Sequence, residues 1–454
     1  MTTTSSAARE TFGSWQKAVL GLLLIGYPVV LFTFGTRVLI PALFLYVILT
    51  LFLCTHTLYL VLLSSIRSVD QHSIIDLITS KKDNAPLYTV LVPLYQEPQM
   101  LPKLIDSLLK LDYPTDKLEI ILLLEEDDEE TRAAMVKLQL PSHFQPTIVQ
   151  AEAGTPRTKA RACNSVLEEA HGEFLVIYDA EDQPDRDQLW KAITAFQQSD
   201  DRVACVQSRL SFYNPRQNLL TRLFTLEYTF WFDLFLPALS IIGAPIPLGG
   251  SSNHLRTSTL REIGGWDTYN VTEDCDLGIR LARNHYRTII MNSTTLEEAN
   301  SQIGNWIRQR SRWIKGYLQT YLVHTRDPID LLRQLGLQNF LFFQFYIGCT
   351  PLLLLLAPLF WMLTLIWNLG QGHILGWYFP PVLYLLSLAS FVLSVLALLS
   401  CGLSSAVARR NYDLIKVLFL FPFYIFIFYI AAWKGCFQLF TRPYYWEKTK
   451  HGLG

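Results

Sequence analysis

Acidic side chains form two clusters in the middle of the chain, at residues 125–128 and 179–182. Packing like charges together is costly unless a cation or hydrogen-bond donors compensate them. Asp179 and Glu181 can both reach one divalent ion, Mg²⁺ or Mn²⁺, whose remaining positions diphosphate oxygens and water would fill. Because such an ion neutralises a departing nucleoside diphosphate, this pair predicts a metal site. For either cluster alone, a solvated acidic loop is the alternative.

Short apolar segments rich in β-branched residues precede these clusters and alternate with segments of helical pattern. The predicted strands are 88–94, 118–124, 147–150, 174–178 and 203–207. Strands separated by helix-length segments predict right-handed βαβ units and a mainly parallel sheet. Ligands of such sheets bind at the carboxyl ends of the strands, which is where both acidic clusters fall. We therefore expect an α/β nucleotide-binding domain here.

Long apolar segments flank this domain on both sides. Residues 18–36 and 38–66 precede it, and each is long enough to cross a hydrocarbon core of about 30 Å as a helix. Two further spans are predicted near 340–368 and 379–403, within a long region free of charged residues. A last apolar segment lies near 414–433. We therefore expect two transmembrane helices before the domain and three or four after it.

Basic residues orient these helices, because Lys and Arg favour the cytosolic side. Arg67 and Arg409 put their flanks in the cytosol, and the basic tail at 441–454 suggests the same side. One crossing at 414–433 cannot leave both of its ends on one side. We therefore expect a re-entrant hairpin broken at Pro422, with a tail on the opposite side as the alternative.

The predicted division of the chain has five parts: an N-terminal tail with two helices, the α/β domain, an interfacial segment, the later membrane helices and the basic tail. Their predicted bounds are 1–82, 83–300, 301–333, 334–440 and 441–454.

Composition limits the class of protein. Half of the 454 residues are hydrophobic and only 17% are charged, which is typical of a chain that is part membrane and part water-soluble. A net charge of -1 argues against nucleic acid as a partner. The seven cysteines include no CxxC pair, which favours reduced thiols over a disulfide framework or a zinc site.

Taken in order, the motifs of the α/β domain resemble those of family 2 glycosyltransferases, which have the GT-A fold. The resemblance implies that Tyr95 and Glu97, which follow the first strand, lie near the nucleobase of a UDP-sugar. It implies that the acidic segment with Glu126, Asp127 and Asp128 holds the uridine.

The resemblance extends to the diphosphate and the metal ion. Lys159 and Asn164 match a Lys-Ala-x-x-x-Asn signature near the diphosphate. Asp179 and Glu181 match the metal-binding Asp-x-Asp, with Glu in place of the second Asp. Because the arm of Glu181 is longer, the metal position can shift.

Thr272-Glu273-Asp274 resembles the Thr-Glu-Asp motif of the family, whose Asp is the catalytic base. Inverting transfer needs one carboxylate to take the proton of the acceptor hydroxyl. The alternative is that Glu273 and Asp274 only cap the helix that follows, since acidic residues favour helix N-termini.

Gln309-Arg310-Ser311-Arg312-Trp313 matches the Gln-x-x-Arg-Trp motif of membrane-embedded members of the family. The resemblance implies that Arg312 contacts the diphosphate, that Trp313 stacks against the acceptor and that Gln309 belongs to the same site. An interfacial helix whose basic groups reach lipid headgroups is the alternative account, and both can hold.

A small-residue loop at 249–254 is expected to line the donor or acceptor pocket, because glycine lets the backbone approach a sugar closely. Its last residue, His254, is expected to be a hydrogen-bonded structural histidine rather than a catalytic one.

The motif set implies an inverting transferase that uses a UDP-sugar and Mg²⁺ or Mn²⁺. The layout resembles the cyanobacterial β-monoglucosyldiacylglycerol synthases, which implies transfer of glucose from UDP-glucose to diacylglycerol. It also implies a multi-pass protein of a bacterial, cyanobacterial inner or thylakoid membrane with a cytosolic catalytic domain. The alternative is a processive β-glucan or exopolysaccharide synthase of the cellulose-synthase type, whose acceptor is the growing polysaccharide.

Overall fold

A mixed eight-stranded sheet forms the centre of the domain between the membrane helices. The computed structural model describes residues 7–34, 39–66, 85–151, 154–366, 380–449 and 452. The strands are β1 Tyr88–Leu94, β2 Leu118–Glu125, β3 Phe144–Val149, β4 Phe174–Ile177, β5 Gln183–Pro184, β6 Val203–Phe212, β7 Asn253–Arg256 and β8 Arg287–Glu297. The five predicted strands are all present, and β5, β7 and β8 were not predicted.

The strand order is β3-β2-β1-β4-β7-β6-β8-β5. The first four strands are parallel, as expected, and β7 runs antiparallel to both β4 and β6. Strands β1 and β2 are almost fully buried, which explains their near-continuous apolar sequence. The carboxyl ends of β1, β2 and β4 therefore meet at one edge of the sheet.

Eight helices cover the sheet within the described part of the domain. They are α3 Leu101–Leu109, α4 Glu129–Val136, α5 Lys159–Asn164, α6 Gln188–Gln197, α7 Leu219–Thr229, α8 Leu236–Ile242, α9 Thr257–Glu262 and α10 Glu273–Arg283. Polar side chains cap two of the helices that border the site: Asp128 accepts from Thr131 N–H before α4, and Thr158 accepts from Arg161 N–H before α5.

The remaining helices come before and after the domain. They are α1 Ser14–Phe34, α2 Leu39–Ile66, α11 Ile303–His324, α12 Pro328–Phe342, α13 Thr350–Ile366, α14 Pro381–Ala408 and α15 Phe421–Thr441. Among the described residues, four helical segments are long and apolar enough to cross a membrane. They are Ile40–Ser65, Pro328–Met362, Pro381–Ala408 and Tyr412–Thr441, one before the domain and three after it.

The predicted hairpin at 414–433 is wrong. A 3₁₀ segment, Tyr412–Leu420, leads directly into the continuous helix α15. Pro422 lies in the first turn of α15, where a backbone N–H has no acceptor within the helix, so the proline does not interrupt α15.

Both ends of this C-terminal segment nevertheless contact the part of the chain between β1 and the end of α11. Asp413 before α15 pairs with Arg216 at 2.7 Å. After α15, Lys315 of α11 donates to the carbonyl of Tyr445 at 2.7 Å. The tail also reaches the α/β domain, where Lys448 donates to the carbonyl of Tyr95. The side of a membrane on which the tail lies stays a prediction.

Candidate active site

The loop after β1 is pinned to the start of α4. Gln96 has a positive φ of 53°, its N–H donates to Asp128, and the N–H of Glu97 donates to Thr131 Oγ1 at 3.1 Å. This conformation turns Tyr95 and Glu97 toward a cavity at the carboxyl edge of the sheet, which both residues line.

The acidic side chains after β2 mostly bind backbone and side-chain groups of the protein itself. Asp128 is buried, and its two oxygens cap α4 and bind the β1 loop. Asp127 pairs with Arg157, and Glu126 accepts from the N–H of Ala151 at 3.2 Å. None of these three acids is among the residues that line the cavity. Their role in holding uridine stays a prediction.

Two buried polar contacts brace the same edge. Arg161 pairs with Glu125, a cavity residue whose pKa burial raises although Arg161 opposes the rise. Asn164 donates to the carbonyl of Trp266 at 2.7 Å and accepts from the N–H of Trp266 at 3.0 Å. Asn164 is not among the cavity residues, so its contact with a diphosphate stays a prediction.

Lys159, the first residue of α5, is the cation nearest to the predicted metal pair. Its amine donates to Asp179 and, at 2.6 Å, to the carbonyl of Gly250. Burial opposes the charge of Lys159, but Asp179 and Glu273 outweigh this effect and raise its pKa. A fixed, charged lysine in the cavity suits a diphosphate.

The predicted metal residues lie in an excess of negative charge. Burial, and then the charge of Asp179, raises the pKa of Glu181 to about 8. Burial, and then Glu181 and Asp179, likewise raises the pKa of Glu297 to about 8. The carboxylates here repel one another, and a divalent cation that binds oxygens of Asp179 and Glu181 would relieve this repulsion. The described residues contain no preformed cage of three or more such ligands, so most ligands would come from substrate and water.

Asp274 is the second residue of α10, and its two carboxylate oxygens point in different directions. Its Oδ1 accepts from the N–H of Cys275 at 2.7 Å, while Oδ2 points toward Gly250. A Cβ at Gly250 would lie 3.4 Å from Asp274 Oδ2 and 3.9 Å from Asp179 Oδ2, so this glycine separates the two carboxylates. Burial raises the pKa of Asp274 and, together with Asp274, raises that of Glu273 to about 7.

Arg312 of α11 faces the same carboxylates. Burial lowers its pKa, which the charges of Glu273 and Asp274 oppose. The guanidinium carbon lies 5.0 Å from the centre of the Trp446 ring, and Nε has no hydrogen-bond partner among the described residues. A buried donor without a partner favours an anionic ligand at this point.

Trp313 follows on the next position of α11 and lies flat against Tyr228, with ring centres 6.4 Å apart. The hydroxyl of Tyr228 donates to Glu297 at 2.9 Å, which ties this aromatic pair to the acidic end. Gln309 accepts from Asn300 at 2.8 Å and also lines the cavity.

His254 lies behind the site on β7 and is fully buried. Its ring nitrogens contact the hydroxyl of Tyr88 at 2.6 Å and Gln188 at 3.2 Å. Burial lowers the pKa of His254 to about 3. As expected, it is a hydrogen-bonded structural histidine.

One continuous cavity of about 710 Å³ joins these residues to the membrane helices. Its catalytic end contains Asp179, Glu181, Asp274 and Arg312. Its other end is lined by mainly apolar residues of α2, α13, α14 and α15, among them Tyr46, Leu53, Leu354, Ala357, Ala397 and Tyr429.

The C-terminal segment after α15 also borders the site, which the sequence did not predict. Lys448 pairs with Glu97 at 3.3 Å and donates to the carbonyl of Tyr95, and Trp446 and Thr449 line the cavity. The signal was present as a Trp-Glu-Lys-Thr run, but a basic tail after a membrane helix is usually read by its charge alone.

Comparison with curated proteins finds relatives that are glycosyltransferases by name. The chain is 22% identical over 385 residues to the "Probable glycosyltransferase YdaM" of Bacillus subtilis, covering 80% of this chain and 87% of that protein. It is 27% identical over 267 residues to the "Beta-monoglucosyldiacylglycerol synthase" of Synechocystis, covering 57% of this chain and 54% of that protein. The chain thus spans about half the length of the cyanobacterial relatives.

Among solved structures, the mannosyltransferase PcManGT from Pyrobaculum calidifontis, in complex with GDP-Man and Mn2+, is similar with a TM-score of 0.48 at 21% identity. That likeness covers 81% of this chain and 99% of the other. S. aureus TarS 1-349 in complex with UDP-GlcNAc gives a TM-score of 0.38 at 13% identity, covering 81% and 97% of the two chains.

Family models match the chain over most of the site. The model described as "Glycosyl transferase family 2" matches residues 89–250, from β1 to the glycine between Asp274 and Asp179. The model described as "Glycosyl transferase family group 2" matches residues 174–433, which is more than half of the chain. The chain therefore belongs to glycosyl transferase family group 2, and it is a glycosyltransferase with a GT-A domain between membrane helices.

Proposed function

We propose that this glycosyltransferase moves glucose from UDP-glucose to the hydroxyl of 1,2-diacylglycerol, giving a β-monoglucosyl lipid with inversion at the anomeric carbon. The names of the cyanobacterial relatives support this acceptor. Those relatives are only 27% identical and are matched over about half of their length, so the donor and the acceptor are both proposals.

The observation that carries the proposal is the continuity of the cavity. A soluble sugar nucleotide would enter at the charged end, and a lipid would enter from the membrane helices, so both substrates reach one site. Asp274 and Trp313 both line this cavity, with the apolar region of α2 and α13 beyond them.

The charged end supplies groups for a nucleoside diphosphate. Lys159 and Arg312 are fixed cations in the cavity, and the free Nε of Arg312 can donate to a phosphate oxygen. Tyr95 offers an aromatic ring beside the β1 loop for the uracil base. These contacts position the anomeric carbon and hold the charge that develops on UDP as it leaves.

A divalent ion would be held by Asp179 and Glu181, and when bound it would neutralise the departing diphosphate. The crowding of carboxyl groups around Asp179 and Glu181 supports that assignment.

Asp274 is the proposed base. Its raised pKa makes the carboxylate more basic than an ordinary Asp, which suits proton abstraction near neutral pH. The acceptor oxygen attacks the anomeric carbon, its proton passes to Asp274, the bond from that carbon to the phosphate oxygen breaks, and UDP leaves. In-line attack inverts the configuration, so an α-linked donor gives a β-linked product.

The lining of the membrane end favours a lipid over a polymer. Sugar hydroxyls buried without partners cost roughly 1–3 kcal/mol each, so a glucan channel needs many polar groups. Among the polar side chains near this end, Tyr346 lines the cavity, whereas Gln344 bonds Tyr321 and Tyr384 is half exposed on α14. Thr50, Thr350 and Ser394 also line the cavity, but their hydroxyls donate to nearby backbone carbonyls.

The apolar helices also support a proposed location for the protein. The four apolar helices suit a multi-pass protein of a bacterial, cyanobacterial inner or thylakoid membrane, with the catalytic domain in the cytosol where UDP-glucose is available.

The test is the product. Purified full-length protein is incubated with labelled UDP-glucose and diacylglycerol, and the label is separated into chloroform-soluble and ethanol-insoluble fractions. The proposal requires a chloroform-soluble lipid with one glucose. Label in an ethanol-insoluble glucan would overturn the lipid acceptor and establish the processive alternative.

A further inference from the structure

A buried ion pair lines the cavity where its charged end meets its apolar end. Glu227 lies near the end of α7 and Arg310 lies on α11, and Arg310 Nη2 is 2.7 Å from Glu227 Oε1. The other oxygen of Glu227 accepts from the hydroxyl of Tyr424 of α15 at 2.7 Å. All three residues line the cavity.

Aromatic rings enclose the guanidinium of Arg310. Its carbon lies 4.3 Å from the ring centre of Trp313, 4.6 Å from that of Phe224, and 5.2 Å from those of Trp306 and Phe428. Only 8% of its side chain is exposed. A guanidinium in this setting has lost its water and depends on protein or ligand groups for hydrogen bonds.

Those hydrogen bonds are incomplete. Nη2 of Arg310 is held by Glu227 at 2.7 Å, but Nε has no hydrogen-bond partner among the described residues. A buried donor is seldom left without a partner, and this one belongs to a residue that lines the cavity. A polar ligand in the cavity would satisfy it.

The position of the pair identifies that ligand. Trp313 touches Arg310 on one side and stacks on Tyr228 on the other, and Tyr228 bonds Glu297 of the acidic cluster. Two aromatic rings, Trp313 and Tyr228, therefore separate the pair from the charged end, and Tyr424 of α15 lies on its other side. A ligand there would be the part of the acceptor next to its reacting hydroxyl.

We propose that the Glu227–Arg310 pair recognises the acceptor headgroup and selects an uncharged, oxygen-rich one. Arg310 donates to an ester carbonyl or hydroxyl oxygen, and Glu227 accepts from a hydroxyl. This inference rests on the proposed function, in which the acceptor is a membrane lipid.

The charge balance gives the selectivity. Glu227 already neutralises Arg310, so an uncharged headgroup leaves the buried pair balanced. A lipid phosphate in the same place would put a second anion beside Glu227 with one cation between them. Burying an uncompensated charge is strongly unfavourable, so the pair rejects anionic headgroups while it binds neutral ones.

The chain offers a matched control. Asp233 forms a comparable buried pair, with Arg409 at 2.8 Å and Arg209 at 3.4 Å, and 7% of its side chain is exposed. Neither Asp233 nor these arginines line the cavity. Asp233→Asn therefore breaks a buried ion pair without changing the acceptor site.

The experiment uses the full-length protein in mixed micelles with UDP-glucose and dioleoylglycerol, with or without dioleoylphosphatidylglycerol, which is anionic but carries free hydroxyls. The wild type should glucosylate dioleoylglycerol and be insensitive to the anionic lipid. In Glu227→Gln the KM for dioleoylglycerol should rise roughly tenfold or more, because a hydrogen bond to a charged group is lost. The KM for UDP-glucose should not change, and the anionic lipid should become a competitive inhibitor or an acceptor.

Asp233→Asn should change only the thermal midpoint, with both KM values and the insensitivity to phosphatidylglycerol retained. If Glu227→Gln and Asp233→Asn behave alike, or if Glu227→Gln raises only the KM for UDP-glucose, the inference is wrong.

Should Glu227→Gln fail to fold, Tyr424→Phe provides the test, since it removes one hydroxyl and should raise the dioleoylglycerol KM alone. A wild type that hydrolyses UDP-glucose without making a glucolipid would overturn the proposed function as well. A wild type that makes glucolipid from both lipids would overturn only the selectivity.

Discussion

The two ends of the cavity balance their charges in different ways. At the catalytic end, Asp179, Glu181, Glu273 and Asp274 outnumber the cations Lys159 and Arg312, and several of these carboxyls have raised pKa values. At the membrane end, one acid and one base form a single pair inside aromatic rings. This difference agrees with the two proposals, in which the first end binds a divalent cation and a diphosphate and the second binds an uncharged headgroup.

This difference separates two kinds of substitution. Changes at the catalytic end should reduce the rate of chemistry or the affinity for the sugar nucleotide. Changes at the membrane end should alter the acceptor.

The largest effect is expected for Asp274→Asn. The amide has nearly the shape of the carboxylate but is a very poor base, so kcat should fall by roughly 10²–10⁴-fold. Binding of UDP, measured by calorimetry, should be little changed, since Lys159 and Arg312 remain. If this variant lost UDP binding and kept normal turnover at saturation, Asp274 would be only a helix cap.

Removal of the metal site should cost about a thousandfold in activity, since an ion that neutralises a leaving diphosphate stabilises the transition state by several kcal/mol. Asp179→Ala and incubation with excess EDTA should give this loss, and added Mg²⁺ or Mn²⁺ should restore only the chelated wild type. Asp187→Ala is the control, because Asp187 is a half-exposed acid outside the cavity that pairs with Lys191. Full turnover in EDTA would refute the metal assignment.

Much of the catalytic end could be predicted from the sequence, because its residues follow strands whose apolar pattern is local. β1 has the predicted bounds, and Asp179 and Glu181 follow β4. The strand β8 was missed because its apolar residues form only one short run, 289–291, which four polar residues follow, and because the strand is only partly buried. Its end brings Glu297 into the acidic cluster.

The membrane end could not be predicted, because no local pattern connects its parts. Glu227, Arg310 and Tyr424 come from α7, α11 and α15, far apart in the sequence, and only packing of these helices brings them together. The contact of Lys448 with the β1 loop crosses 353 positions of sequence for the same reason.

A smaller effect is expected for Lys448→Met. Lys448 fixes the C-terminal segment to Glu97 and Tyr95 at the catalytic end, and the pair is only partly buried. The KM for UDP-glucose should rise about fivefold, equivalent to about 1 kcal/mol, with the acceptor KM unchanged. Lys434→Met is the control, because it removes a partner of Glu447 in the same segment without touching the β1 loop. An equal rise in both variants would mean that the segment acts only as a whole.

The most direct test of the separation compares one aromatic residue from each end. Tyr95→Leu should raise the KM for UDP-glucose and leave that for diacylglycerol unchanged, whereas Trp313→Leu should do the reverse. Loss of an aromatic contact predicts a change of roughly fivefold to tenfold in each affected KM. Steady-state kinetics with both substrates varied would measure all four values. Two variants that each shift both KM values together would contradict the account, because the cavity would then have no separate donor and acceptor ends.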